Sequence, residues 1–352
     1  MRRELVKVPK SICVIRLSAI GDVCHTLSVI QSIQRNYPSC AITWVMGKTE
    51  AQLLGDIPGI QVVAFDKKQG FRGMREVWNK LSESHFDYLL HMQVALRASI
   101  LTLGIRASTK IGFSWKRAKE GQWLFTNMKL PDSPAEHVMD NFALFAKQLG
   151  CSDIAPQWHI PLNKQDFDLV ELASNPKYAV ICPSASKDER NWLPERYAAV
   201  ADYLSSKGLQ VWLCGSPTNR ERLFAEQIEA LSKSPLKNMV GETNLKQLTA
   251  VIQKAVLVLA PDSGPVHIAT TQSTPVIGLY AHSNPKRTGP YFSQNLVVSE
   301  YESIARERMN RTPEQLNWGT RFKGDNLMER ISIESVISKV DIVLHEQSLS
   351  KV

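Results

Sequence analysis

The chain has 352 residues, of which 43% are hydrophobic and 22% are charged. These values are typical of a soluble globular protein with two domains of ordinary size. The formal net charge of +8 indicates anionic partners such as a membrane surface or phosphorylated substrates. No basic stripe interleaved with aromatic residues occurs, so nucleic acid is not expected as a partner.

The sequence contains neither a membrane span nor a secretory signal. No run approaches the roughly 20 apolar residues that a spanning helix needs. After the basic N-terminus, Arg16 and Asp22 interrupt the apolar stretch that a signal peptide requires. The six cysteines are scattered without a C-x-x-C pair, which predicts reduced, buried thiols rather than disulfides or a metal site. A cytoplasmic protein that can visit a membrane surface is therefore expected.

A strand–turn–helix–strand unit opens the chain. The apolar run at 11–17 predicts a buried strand, and a helix at 23–37 leads to a second strand at 41–46. The unit has no G-x-G-x-x-G fingerprint, so a nicotinamide enzyme is not expected. Asp22 lies in the turn, where a carboxylate can accept a proton from an attacking hydroxyl. The alternative is that Asp22 only caps the helix.

Two basic segments follow in the first half. We expect residues 65–75 to form a glycine-containing loop, which is either a solvated surface or a mobile clamp on an acidic acceptor. The second segment lies beyond a predicted strand at 86–92 and begins in a predicted helix at 95–103. The candidate acceptor-binding cations are Lys67, Lys68, Arg72, Arg97 and Lys119.

A polar stretch divides the chain into two α/β halves. An amphipathic helix is predicted at 136–149, and residues 151–176 are polar and interrupted by prolines. We therefore predict one domain at 1–160 and another at 161–325. Beyond Pro290 the pattern fades, until a last amphipathic helix at 331–344 lies within a third segment, 326–352.

The second half again begins with a buried strand, predicted at 178–182. The loop after it contains hydroxyl groups, which donate hydrogen bonds, and cations, which pair with phosphate charge. It would therefore cradle a pyrophosphate, unless it is an ordinary surface loop. Further along, Asn244 is predicted to cap a helix at 245–253. The candidate phosphate ligands are Ser184, Ser186, Lys187 and Arg190.

The stretch 255–290 carries a second candidate phosphate loop. A strand at 256–259 is followed by turn residues and then by a helix that begins near Val266. A helix N-terminus after a parallel strand offers free N–H groups and a positive dipole end, which suits a phosphate. Asp262, Ser263 and His267 add hydrogen-bonding side chains. The alternative is that Asp262 or Ser263 merely caps the helix.

Several motifs resemble glycosyltransferase family 9, the family of the lipopolysaccharide heptosyltransferases. D-S-G-P-V-H-I-A at 262–269, with P-V-I-G-L-Y at 275–280 and N-P-K-R-T-G-P at 284–290, is similar to the family's C-terminal signature. The resemblance implies that Asp262 and His267 hold the donor sugar. It further implies phosphate contacts from Ser263 and Gly264, and adenine or ribose contacts from Glu242 and Thr243.

Other segments extend the resemblance and show two departures from the family pattern. R-L-S-A-I-G-D-V-C-H-T-L at 16–27 resembles the N-terminal signature, which implies that Asp22 is the general base. Lys119 stands where the family segment G-x-x-W-x-x-A-R-E has arginine. Lysine and arginine differ in geometry, so a bidentate contact to an acceptor carboxylate or phosphate is altered at this position. In the family, the loop at 183–190 binds the donor phosphates. Here Arg190 replaces a typical lysine, and one extra residue separates Trp192 from Pro194.

The resemblance implies a GT-B fold, in which two doubly wound, Rossmann-like α/β domains face a central cleft. The N-terminal domain would bind the acceptor and the C-terminal domain the nucleotide sugar, and segment 326–352 would pack back toward the N-terminal domain. Several segments are most similar to members that add the first heptose of the inner core. They imply inverting transfer of L-glycero-D-manno-heptose from ADP-heptose to a Kdo residue of lipid A.

The implied reaction occurs at the inner face of the inner membrane, so an anionic membrane surface is an expected peripheral partner. The sequence has no histidine cluster with metal-ligand spacing, and we expect neither a metal nor a cofactor. Two alternatives remain open at this point. One is a family member with another core acceptor or donor sugar, and the other is a catalytically inactive nucleotide-sugar-binding protein.

Overall fold

A computed structural model describes residues 8–171 and 177–349. They belong to two compact units, which divide between Pro161 and Leu162. The basic N-terminal residues 1–7, residues 172–176 of the predicted polar stretch and residues 350–352 of the third segment lie outside the described residues. In the described part of the chain, no helix has the length and apolarity needed to cross a membrane.

The first unit alternates strands and helices. Its described strands form a six-stranded parallel sheet in the order β3-β2-β1-β4-β5-β6. The elements are β1 Ser11–Ile15, α1 Ile20–Asn36, β2 Ala41–Gly47, α2 Ala51–Leu54, β3 Ile60–Phe65, α3 Gly70–Lys80, β4 His85–His91, α4 Leu96–Leu101, β5 Arg106–Gly112, β6 Met128–Lys129 and α5 Val138–Gln148.

Both faces of this sheet are covered, which is why its central strands are continuously apolar. Ile12, Cys13 and Val14 of β1 are inaccessible to solvent. Helices α1 and α5 pack together, whereas α3 and α4 contribute side chains to a separate core cluster against β1 and β4. Right-handed crossovers on either side of β1 place the two helix pairs on opposite faces.

The second unit repeats this plan. Within the described residues, its parallel strands follow the order β12-β11-β10-β7-β8-β9. The elements are α6 Asp168–Glu171, β7 Tyr178–Ile181, α7 Pro194–Ser206, β8 Gln210–Leu213, α8 Asn219–Leu231, β9 Leu236–Asn238, α9 Leu245–Lys254, β10 Val258–Pro261, α10 Gly264–Thr271, β11 Val276–Tyr280, α11 Pro285–Thr288, β12 Val298–Ser299, α12 Tyr301–Met309 and α13 Ile333–Leu349.

The prediction of two doubly wound α/β domains is confirmed, because each sheet has the strand order 3-2-1-4-5-6. All six cysteines are buried and free, as the sequence predicted. The predicted cap is also present, since Asn244 Oδ1 accepts a hydrogen bond from Gln247 N at 2.9 Å. Gln247 Oε1 in turn accepts one from Asn244 N, which completes a capping box.

The last helix, α13, packs within the second unit against α7, β11 and β12. Val336, Val340 and Val343 of this helix are buried in the core of that unit. Their spacing of three and four residues places them on one helical face. The predicted return of segment 326–352 toward the first domain stays a prediction.

One structural prediction is wrong: residues 65–75 are mostly helical rather than a loop. A 3-10 helix, Lys67–Gln69, leads directly into α3. Asp66 Oδ1 accepts a hydrogen bond from Lys68 N and so starts the first turn. Gly73, Met74 and Val77 then form a buried stripe beneath the charged surface of α3. The density of charges in this segment concealed that stripe in the sequence.

A fully buried histidine ends β4. His91 Nε2 lies 2.9 Å from Ser99 Oγ, and Nδ1 has no hydrogen-bond partner among the described residues. Burial, with smaller contributions from Arg16 and Lys110, lowers the pKa of His91 from 6.5 to about 3. The imidazole is therefore neutral in the folded protein at physiological pH.

This burial predicts acid sensitivity. The unfolded chain takes up a proton at His91 below pH 6.5, whereas the folded chain does so only near pH 3. The stabilising contribution is complete above pH 6.5 and is lost as the pH falls through that window, at up to ~1.4 kcal/mol per pH unit. His91→Gln should therefore flatten the dependence of the free energy of unfolding on pH between 6.5 and 4. Denaturant titrations at several pH values measure this, and parallel curves for both proteins would contradict it.

Candidate active site

The centre of the first sheet is a topological switch point between β1 and β4. The two strands pair in parallel, and the chain leaves them toward opposite edges of the sheet, which opens a crevice at their carboxyl ends. Two hydrogen bonds cross this point. Leu17 N donates to Gln93 Oε1 at 2.6 Å, and Arg16 Nη1 donates to the carbonyl oxygen of Met92 at 2.6 Å.

Arg16 also forms an ion pair with the predicted base, Asp22. Its Nη2 contacts Asp22 Oδ2, and its guanidinium lies over the Phe142 ring, 5.2 Å from the centroid. Arg16 is only 9% exposed. Because a guanidinium removed from water needs a well-placed partner, the energy of the Arg16–Asp22 ion pair depends strongly on the orientation of the two groups. The position of the Asp22 carboxylate is therefore fixed by a rigid, buried partner.

Asp22 occupies the first turn of α1, where the helix dipole favours negative charge. Its Oδ2 additionally accepts a hydrogen bond from Ala19 N at 3.3 Å, so the residue does take part in capping. The side chain remains 34% exposed. Among the described residues Oδ1 has no hydrogen-bond partner, which leaves that oxygen able to accept a proton from solvent or substrate.

The predicted acceptor-binding cations follow the carboxyl ends of neighbouring strands. Lys67, Lys68 and Arg72 come after β3, and Arg97 is the second residue of α4, which follows β4. Arg72 Nε lies 3.5 Å from Glu76 Oε1 in an exposed pair, which contributes little to stability.

Lys119 lies after β5 and is exposed, like the other four predicted cations. The same edge also holds Glu50, a buried carboxyl after β2. Burial raises the pKa of Glu50, while Lys67 and Arg16 act in the opposite direction. The carboxyl edge of the first sheet thus carries the partly exposed carboxylate of Asp22 together with several exposed cations.

The second sheet has its own switch point between β7 and β10, which also pair in parallel. Asp262 directly follows β10, and Arg190 ends a 3-10 helix after β7. Arg190 Nη1 lies 3.6 Å from Asp262 Oδ2 and donates to the Asp262 carbonyl oxygen at 3.3 Å. Ser283 Oγ donates to Asp262 Oδ2 at 2.7 Å. These contacts fix a carboxylate and a guanidinium at the mouth of the crevice.

Helix α10 begins beside this pair. Ser263 occupies the N-cap position with extended backbone, and Gly264 is the first helical residue. The Ser263 hydroxyl is buried and has no hydrogen-bond partner within the described residues. His267 is 8% exposed on the same helix. Free N–H groups at an eight-residue helix N-terminus, with no side chain on Gly264, form a concave site suited to phosphate.

The loop after β7 is held in place by its own side chains. Asn191 Oδ1 accepts from Ala185 N at 2.7 Å, and Arg220 Nη2 donates to the Ala185 carbonyl oxygen at 2.7 Å. Arg220 also contacts Asp188. The predicted phosphate ligands differ in exposure: Ser184 and Arg190 are half-buried, whereas Ser186 and Lys187 are exposed.

Glu242 and Thr243 follow β9, farther along the same carboxyl edge. Glu242 Oε1 lies 3.5 Å from Arg222 Nη1, and the Thr243 hydroxyl is buried without a hydrogen-bond partner in the described part of the chain. Gly241 N donates to the Gly215 carbonyl oxygen at 3.0 Å and joins the loops after β8 and β9. The positive φ of Gly241, 82°, disfavours other residues at this turn.

Sequence reasoning missed three polar residues that hold these sites. Arg16 was noted only as an interruption of an apolar run, and Ser283 and Arg220 were not identified. For Arg16 a signal did exist, because a charge directly after a buried strand needs a partner. Ser283 and Arg220 reach partners 21 and 32 residues away, and spacing along the chain does not predict such contacts.

The two sites differ in what they can do. The first combines an exposed carboxylate oxygen with surrounding cations, which suits proton abstraction from an acceptor hydroxyl near negative charge. The second combines a helix N-terminus with the guanidinium of Arg190, which suits a diphosphate. Burial and the nearby Asp262 raise the pKa of Tyr280 well above its usual value, so that phenol is a neutral neighbour.

Comparison with known proteins by family model and by sequence similarity points to the heptosyltransferases. The family model described as glycosyltransferase family 9 (heptosyltransferase) matches residues 74–316. The lipopolysaccharide core heptosyltransferase OpsX of Haemophilus influenzae is 47% identical over 336 residues, which cover 95% of this chain and 97% of that protein.

Solved structures show the same fold. E. coli heptosyltransferase WaaC with ADP aligns with a TM-score of 0.74 at 19% identity, covering 95% of this chain and 99% of that one. The structure of WaaC with ADP-2-deoxy-2-fluoro heptose aligns with a TM-score of 0.66 at 19% identity, covering 94% and 99%.

Proposed function

Because the chain belongs to glycosyltransferase family 9, the heptosyltransferase family, we propose that this glycosyltransferase moves L-glycero-D-manno-heptose from ADP-heptose to a Kdo residue of lipid A. The observation that carries the proposal is the 47% identity with a lipopolysaccharide core heptosyltransferase along nearly the whole chain. The WaaC complexes with ADP and with an ADP-heptose analogue support the donor. The resemblance of the inner-core segments supports the acceptor.

In the proposed reaction, the second unit holds the donor. The diphosphate lies against the N-terminus of α10 and receives charge from Arg190 and Lys187. Asp262 and His267 bind hydroxyl groups of the heptose. As the bond between the anomeric carbon and the phosphate oxygen breaks, ADP carries away the electron pair, and these cations stabilise the charge that develops on it.

The first unit supplies the base. Asp22 Oδ1 takes the proton from a Kdo hydroxyl group. The oxygen of that hydroxyl group bonds to the anomeric carbon from the face opposite ADP, so the configuration at this carbon inverts. Arg16 occupies the other carboxylate oxygen and keeps Oδ1 oriented. Lys67, Lys68, Arg72, Arg97 and Lys119 would bind carboxylate and phosphate groups of the acceptor.

We place the reaction at the cytoplasmic face of the inner membrane, with the enzyme bound peripherally. The net charge of +8 supports this placement, because the acceptor is an anionic lipid in a negatively charged surface.

The test of the proposal is ADP release from ADP-heptose by the purified protein, with and without Kdo-lipid A. We expect acceptor-dependent ADP release and a lipid product that is heavier by one heptose in mass spectrometry. Transfer only to phosphorylated Kdo or to an already heptosylated core would reassign the acceptor. Donor binding without transfer to any acceptor would favour an inactive binding protein instead.

Asp22→Asn should abolish most of the turnover, because the amide cannot accept the proton. We expect kcat to fall by about 10²- to 10⁴-fold while the Kd for ADP-heptose stays the same. Steady-state kinetics and calorimetry measure the two quantities. Glu83→Gln, an exposed carboxylate change in the same unit, is the matched control. Unchanged turnover in the Asp22 variant would remove this residue from the mechanism.

Asp262→Asn should weaken donor binding, because the carboxylate accepts hydrogen bonds from hydroxyl groups of the heptose and orients Arg190. The Kd for ADP-heptose should rise by about 10- to 100-fold, as for the loss of a charged hydrogen bond. The Kd for ADP should rise less, since ADP has no heptose to contact Asp262. Ser283→Ala keeps the carboxylate but removes its hydroxyl partner, and should give a smaller loss. An unaltered donor affinity in Asp262→Asn would refute the assignment.

A further inference from the structure

Large apolar side chains are exposed along the carboxyl edge of the first sheet. Phe71 is 63% exposed, Trp115 is 63% exposed, Trp123 is 43% exposed and Leu124 is 67% exposed. Phe71 follows β3, and the other three follow β5. Single exposed apolar residues are common on protein surfaces. Neighbouring exposed tryptophans, however, indicate a site that binds a protein, a membrane or a ligand.

The two tryptophans belong to one structured segment, residues 113–125, which we call the tryptophan loop. The Trp115 and Trp123 rings are in contact, with centroids 5.4 Å apart. The backbone around Trp123 and Leu124 is a 3-10 helix, Gln122–Leu124. Glu120 Oε2 accepts a hydrogen bond from Leu96 N at 2.7 Å and ties the loop to α4. The apolar side chains are therefore presented by a fixed backbone.

Cations surround these rings. Lys129 Nζ lies 4.2 Å from the centroid of the Trp115 ring. Lys116 extends into solvent, 80% exposed, and is 3.6 Å from Asp132 in an exposed pair. Lys119 in the loop and Arg97 in α4 are also exposed. Tryptophan and leucine side chains flanked by lysines are typical of surfaces that lie at the boundary between lipid headgroups and acyl chains.

The edge on which the loop lies also carries Asp22. The loop begins at the carboxyl end of β5, and Gln122 Nε2 donates to the carbonyl oxygens of His91 at 2.9 Å and Gln93 at 3.2 Å at the end of β4, so the loop and the predicted base lie at the same edge of the sheet. An acceptor that is anchored in a bilayer by its acyl chains presents its sugar just above the headgroups. A surface that binds the bilayer on this side brings the base to the acceptor without extracting the lipid.

We propose that the tryptophan loop is the membrane-docking surface of the protein, and that it binds a bilayer containing anionic lipid. Trp123 and Leu124 enter the headgroup boundary, and Lys116 and Lys129 contact the phosphates of the lipid headgroups. This inference rests on the proposed function in one respect, since it explains how a lipid acceptor is reached. The binding of a bilayer itself requires no acceptor and no turnover.

The test is co-sedimentation of the full chain with vesicles of equal parts phosphatidylglycerol and phosphatidylcholine, without any lipopolysaccharide. The wild type should bind these vesicles, and should bind less at high salt or with phosphatidylcholine alone. The double variant Trp123→Ser/Leu124→Ser should lower the partition coefficient by about tenfold or more. The matched control is Phe292→Ser/Leu231→Ser, which alters side chains that are 56% and 51% exposed in the second unit and should bind like wild type.

Activity assays separate this surface from the catalytic proposal. The double variant should keep wild-type turnover with a deacylated, water-soluble Kdo acceptor and lose it with vesicle-embedded Kdo-lipid A. Absence of transfer by the wild type to any acceptor would defeat the proposed function, whereas the vesicle result would stand independently.

Three outcomes would overturn the docking proposal. They are no vesicle binding by a wild-type chain with native circular dichroism, equal binding by the folded double variant, and self-association in sedimentation velocity that the double substitution abolishes while vesicle binding persists.

Discussion

Each unit depends on a partly buried arginine–aspartate pair at the switch point of its sheet. Arg16 links the end of β1 to the residue after β4 and to Asp22, and Arg190 links the loop after β7 to Asp262 after β10. At a switch point the chain leaves two adjacent strands in opposite directions, so no helix closes the gap above them. The charged side chains of an arginine–aspartate pair at this point hold each other in position and still border the crevice at the ends of the strands.

Such pairs are poor sources of stability, because removing both charges from water costs about as much as their attraction returns. Their value lies in orientation. A guanidinium that occupies one oxygen of Asp22 leaves the other for a proton, and a carboxylate that holds Arg190 aims its remaining donors outward. In the proposed function, the same arrangement would orient a base in one unit and a phosphate site in the other.

The sequence predicted much of this architecture for clear physical reasons. Strands buried on both faces appear as apolar runs, and turn residues after them predicted the turns at 18–22 and 261–265. Helix α3 was missed because its buried stripe is interrupted by charges, and α12 because its apolar positions are few. The Arg190–Asp262 pair was missed for a different reason: these residues are neighbours only because β7 and β10 are adjacent in the sheet, and strand order is a property of the folded chain.

The most direct test of the central claim is a crystal structure of the protein with ADP. We expect the diphosphate to lie at the N-terminus of α10, within hydrogen-bond distance of the Ser263 hydroxyl or of the Gly264 amide, with Arg190 still beside Asp262. Nucleotide bound elsewhere, with the switch point of the second sheet filled only by water, would contradict the assignment of both phosphate loops.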